Sequence, residues 1–296
     1  MSKSDNIYIR LTEKIIEKMK DGVAPWQKPW ALKNLPQNFI TKRPYGGFNM
    51  VALMIEERNC PYWLTFKQVK DLGGKLKKGE HGIPIVYYLF INKETGKPYK
   101  PGDKKDHDAI PVPRYYVIFN LEQTEGIEWE MPLEQVRSNS EIDEEISNYC
   151  MLENISLNFT STNDKAFYSP KLDHIHVPEI NNFKTENHFY ATCFHEMVHS
   201  TGIERRLNRG LDTETRRFGD HLYSKEELVA EFGACFLMAH YGIFDDSIFD
   251  NSVSYLQAWA KKLEEQPSVL VSAANQAQKA VDFILKVNTE EIEGEE

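Results

Sequence analysis

His195-Glu196-Met197-Val198-His199 sets two imidazoles four residues apart around a carboxylate. On a helix, positions i and i+4 lie one above the other on one face. His195 and His199 can then share one metal ion. Glu196 stands where zinc peptidases hold the carboxylate that takes a proton from the attacking water. The flanks favour a helix, with Tyr190 to Phe194 leading in and Gly202 supplying a C-terminal stop.

A catalytic zinc takes three protein ligands and keeps one position open. Ser224 to Ala234 has helix-forming composition, with Ser224 at the expected N-cap. Glu227 and Glu231 are spaced i, i+4 on it and share a face. Glu227 is the candidate third ligand; Glu231 is the carboxylate behind a ligand histidine, or the alternative third ligand. Glu226 points off that face and reads as solvated. Leu228, Val229, Ala230, Phe232, Ala234, Phe236 and Leu237 make the helix apolar on most sides, so a charge at Glu231 needs a partner. The expectation is one Zn²⁺ per chain.

The elements that must position these groups belong to a chain of 296 residues, enough for one or two domains. The four cysteines, Cys60, Cys150, Cys193 and Cys235, form no C-x-x-C pair, which fits a reducing, cytoplasmic setting. No apolar run reaches membrane-spanning length, and the first residues carry no apolar signal-peptide core. The net charge of -10 is unevenly spread. Through Glu125 there are 21 Lys+Arg against 14 Asp+Glu; after it there are 14 against 31. A split of this kind points to two modules with different partners, the basic one facing a polyanion.

In chain order, apolar residues at 8, 11, 15, 16 and 19 predict an amphipathic helix over 7–20, stopped by Asp21-Gly22. Helices follow at 49–58 and 66–72, then strands at 83–91 and 114–121 around a polar, turn-rich tip. A polar, acidic linker is expected over 132–144. Beyond it come a helix to Leu152, short strands at 155–160, 165–168 and 174–177, the two metal helices, and two late helices. The strand before the metal helix is expected to be an edge that pairs with an extended peptide. His174 and His176 on it read as facing solvent or cleft rather than as a second metal site. The fold class is α+β in two domains: an α+β domain over 1–130, and a mostly helical domain with a small sheet over 140–296.

Single-stranded nucleic acid is recognised by cations for the backbone and flat rings for the bases. The first half interleaves Trp26, Trp30, Tyr45 and Trp63 with Lys28, Arg43, Lys67, Lys75, Lys77 and Lys78, and Asn49 and Gln68 could bond base edges. These are the candidate DNA-binding residues.

Several ordered stretches carry a family resemblance. Gly22 to Trp30, Arg43-Pro44-Tyr45-Gly46-Gly47-Phe48-Asn49, Trp63 to Gln68, Gly79-Glu80-His81-Gly82 and Phe119 to Gly126 resemble the N-terminal domain of ArdC-type antirestriction proteins, which a class of plasmid primases shares. The second half resembles the zincin-like metallopeptidase domain that follows it in those proteins. There the resemblance rests on the metal motif, Arg206-Leu207-Asn208, Glu226 to Glu231 and Ala273 to Ala280. The resemblance implies binding of single-stranded DNA and protection of plasmid or other mobile-element DNA from host restriction. It also implies a zinc peptidase of the H-E-x-x-H type, whose protein substrate could be a host restriction enzyme. The alternative is a non-proteolytic protein that coats single-stranded DNA and keeps its metal for structure.

Overall fold

The structure, a computed structural model, describes residues 3–21, 35–99, 109–132, 137–161, 165–211, 221–243 and 253–287. The first half holds α1 (Lys3–Lys20), β1 (Gln37–Asn38), α2 (Gly47–Met54), β2 (Tyr62–Thr65), α3 (Phe66–Asp71), β3 (Lys75–Leu76), β4 (Ile83–Asn92), β5 (Ala109–Asn120) and β6 (Thr124–Glu125). The second holds α4 (Asn139–Leu152), β7 (Ser156–Thr160), β8 (Phe167–Ser169), β9 (His174–Pro178), α5 (Glu186–Ser200), α6 (His221–Tyr241), α7 (Val253–Glu265) and α8 (Ser268–Ile284).

Local chemistry sets several of these starts. Thr65 and Gln68 form a reciprocal capping box at α3, and Ser138 and Glu141 form another at α4. Thr185 caps α5 by accepting from the His188 amide. Several boundaries differ from the sequence reading: α1 begins at Lys3, α2 runs Gly47–Met54 instead of 49–58, and β5 begins at Ala109 instead of 114. Two more lie in the second half. The expected linker is helical from Asn139, because the Ser138 box starts α4 there. Ser224 lies within the first turn of α6, which begins at His221, so it is not the cap.

The first half builds a four-stranded sheet in the order β1-β2-β5-β4 and a two-stranded β3-β6 ribbon. The second builds a three-stranded sheet in the order β7-β9-β8. The strand that precedes the metal helix, β9, is therefore central, and β8 takes the edge that had been expected of it.

The sheets divide by halves, but the main core does not. Leu11, Ile15, Ile16 and Met19 of α1 and Phe48, Met50, Val51 and Met54 of α2 pack in one cluster with residues of α4 to α8. A side-chain lock joins the halves at the start of α2. Gln278 Oε1 accepts from the Gly47 amide at 3.0 Å, and Asn275 Oδ1 accepts from the Phe48 amide at 3.1 Å. These are orphan donors of a helix N-terminus, capped here from α8 rather than by α2's own N-cap residue, Gly46. The approach demands glycine: Gly47 has φ +56, and a Cβ there would lie 2.4 Å from Asn275 Oδ1. One residue on from that pair, Asn49 grips the free edge of the sheet, donating to Val86 O at 2.7 Å and accepting from Val86 N at 2.9 Å.

Candidate metal centre

α5 and α6 pack side by side and bring three donors together. His195 Nε2 and His199 Nε2 are 3.1 Å apart, His195 Nε2 lies 3.4 Å from Glu227 Oε2, and His199 Nε2 lies 3.5 Å from Glu227 Oε1. Bonds of the length zinc makes to nitrogen and oxygen, arranged tetrahedrally, put neighbouring ligand atoms about 3.3 Å apart. The trio matches those edges, so its residues fit a divalent cation. Among the described residues it is the group of metal-binding side chains that meets this spacing. Glu227, not Glu231, completes it.

The electrostatics point the same way. Burial alone would lower the His195 pKa. The hydrogen bond to Glu227, with the charges of Glu231, Glu196 and Glu227, outweighs it and raises the value to about 9. Glu231 is pushed up by burial and by Glu227, against the pull of His195 and His199. It reaches His195 as a nearby charge. Two imidazoles held among this many carboxylates form a site that attracts a cation.

Glu226 overturns the expectation of a solvated carboxylate. It is 5% exposed, and its Oε1 accepts from His199 Nδ1 at 3.3 Å. Burial would raise its pKa, but bonds from Arg209 and His199 bring it below the usual carboxylate value. The sequence marks it only as the neighbour of the candidate ligand Glu227. Its true environment comes from a loop 17 residues away in the chain.

Glu196, 7% exposed, lines a cleft of about 500 Å³ with His195, His199, Glu227 and, across from them, Phe167 and Tyr168 of β8. His174 and His176 lie on the other face of that sheet from the buried Ile175 and Val177, but His176, 8% exposed, is buried too rather than facing solvent. Phe167 stacks on His176, and neither histidine joins the metal trio.

The candidate DNA-binding residues are scattered in role. Trp26, Lys28 and Trp30 lie outside the described residues. Trp63 is 1% exposed and packs with Leu53, Ile85 and Ile118, so no base can reach its ring in this fold. Tyr45 packs half-buried against the same cluster. Asn49 and Gln68 spend their amides on Val86 and on the α3 cap, so neither offers its full amide to a base edge. Arg43 is half-buried. Lys67, Lys75, Lys77 and Lys78 are exposed, Lys75 pairing with Glu125 and Lys77 with the Glu122 carbonyl. Composition could not separate these fates. Among the described residues of the first half, the exposed Phe and Tyr rings are Phe66 on α3, Tyr88 on β4 and Tyr116 on β5. Lys70 sits 4.6 Å above the Phe66 ring, and Arg114 stands exposed two residues from Tyr116.

Comparison with known proteins joins the two halves. The family described as the N-terminal domain of anti-restriction factor ArdC matches residues 5–119, and the zincin-like metallopeptidase family matches residues 148–276. The DNA primase TraC of Escherichia coli is 34% identical over an alignment of 300 positions that covers 96% of this chain. The chain spans only 27% of that primase's length. The metal-free crystal structure of antirestriction ArdC protein from the R388 plasmid superposes with a TM-score of 0.73 at 30% identity, covering 98% of this chain and 99% of that one. The Mn(II)-bound structure of the same protein gives 0.74 at 31%, covering 95% and 98%. With both halves matched in order and nearly the full length shared, the chain belongs to the ArdC family of antirestriction proteins.

Proposed function

We propose that this protein protects incoming DNA from restriction by binding single strands through its first half and hydrolysing peptide bonds at a zinc centre in its second. The observation that carries the enzymatic part is the three-donor cluster at 3.1 to 3.5 Å with a buried carboxylate on the same helix. Zinc suits two imidazoles and a carboxylate. The ArdC protein of plasmid R388 has been crystallised with Mn(II). A divalent cation in this position supplies Lewis acidity to a water and to the carbonyl it attacks. The chain does the rest. Glu196 takes the proton from the attacking water and returns it to the leaving amine. His195, His199 and Glu227 fix where the chemistry happens. β8, at the edge of its sheet beside the cleft, offers backbone groups that hold a peptide extended.

DNA binding rests on the excess of basic residues through Glu125 and on the match to the ArdC N-terminal domain. Its contact residues are the exposed lysines 67, 75, 77 and 78 with the rings of Phe66 and Tyr116, in place of the buried Trp63. No helix among the described residues is long and apolar enough to cross a membrane.

Glu196→Gln separates hydrolysis from everything else. The variant keeps its metal, since Glu196 is not one of the three donors, and loses peptide cleavage by about 10²–10⁴-fold. The protection of plasmid DNA in a restricting host should fall with it. Protection at the wild-type level would assign the activity to coating of single strands instead.

A further inference from the structure

The buried pair Arg209–Glu226 has no part in the chemistry described above, yet it touches a metal donor. Arg209 Nε donates to Glu226 Oε2 at 2.9 Å and Nη2 to Oε1 at 2.6 Å, with both side chains 6% exposed. The same guanidinium holds the end of α5, donating to Val198 O at 2.8 Å and to Thr201 Oγ1 at 2.7 Å. Glu226 then accepts from His199 Nδ1. A proton kept on Nδ1 leaves Nε2 with its lone pair toward His195 and Glu227.

The loop after α5 is shaped to deliver Arg209. It folds back so that the Arg209 amide donates to Gly202 O at 2.8 Å, and it passes through left-handed conformations at Asn208 (φ 45) and Gly210 (φ 75). Gly202 leaves room for it. A Cβ there would stand 1.9 Å from Leu211 Cδ1 and 2.9 Å from Arg209 Nη2. Upstream, Arg206 is 1% exposed and ties the loop to Asp173 and Glu153.

We propose that Arg209 and Glu226 are positioning residues of the metal centre: Arg209 clamps Glu226, and Glu226 fixes the tautomer and aim of His199. This rests on the metal-centre reading given above.

The test is a zinc titration of the metal-free, full-length protein against a colorimetric chelator. Glu226→Leu should weaken zinc by about 10–100-fold, the usual cost of losing the carboxylate behind a ligand histidine. Arg209→Met/Glu226→Leu, which removes both buried charges together, should weaken it by the same factor while melting near the wild type. Glu226→Gln should stay within about three-fold, because its carbonyl oxygen still accepts from Nδ1. A purely structural ion pair predicts the reverse order, with the glutamine variant impaired and the double variant normal, and that outcome overturns the proposal. If the double variant does not fold, Gly202→Ala carries the test: it displaces Arg209 with all three donors intact, and wild-type zinc affinity in it refutes the clamp. A wild-type protein that takes up no zinc refutes the metal centre itself, whereas variants that bind as tightly as a zinc-binding wild type refute the clamp alone.

Discussion

Trp63 and Phe66 are three residues apart and meet opposite fates. Trp63 is 1% exposed and Phe66 is 47% exposed. Trp63→Ala should therefore cost about 3–5 kcal/mol of stability in urea unfolding, the price of emptying a core ring. Phe66→Ala and Tyr116→Ala should instead leave the unfolding midpoint close to wild type. Each should weaken single-stranded DNA binding by about 1–3 kcal/mol, the worth of a stacked base, measured by fluorescence anisotropy. Unchanged affinity in both would move the DNA surface elsewhere. The two histidines and Glu196 were legible in the sequence because their relation is local, one helical turn. Glu226 was not, because its partner Arg209 arrives on a folded-back loop that no periodicity announces.

Elements were legible where local chemistry fixes them. The apolar spacing along α1 and the Thr65–Gln68 box at α3 are both readable from a few consecutive residues. The start of α2 was not. Gly46 and Gly47 have no side chain to cap it, and the caps come from Asn275 and Gln278, far down the chain. The conspicuous glycine pair and the conspicuous Asn-Gln run are thus two sides of one contact. Asn275→Ala/Gln278→Ala should destabilise the protein by about 2 kcal/mol, near 1 kcal/mol per lost cap. Gly47→Ala should cost at least as much, since it adds a clash to a positive φ. Chemical denaturation of the three proteins checks this. A double variant as stable as the wild type would mean the amides are satisfied some other way.

At the scale of the molecule, the charge split foretold two modules, but it could not foretell that α1 and α2 of the basic half complete the core of the acidic one. A fragment of residues 1–130 should therefore expose the apolar faces of α1 and α2 and show no cooperative unfolding transition, where the full chain shows one. In the full chain, DNA affinity should fall log-linearly with salt as phosphate contacts release counterions. A flat salt dependence would remove the lysines from the interface. The peptidase chemistry of the second half requires that His195, His199 and Glu227 hold a metal ion. Elemental analysis of the purified chain beside a His195→Ala/His199→Ala variant tests it directly. The wild-type chain should hold about one divalent ion, zinc, and the variant should retain none after dialysis. A full complement of metal in the variant, with the wild type no richer, would contradict it.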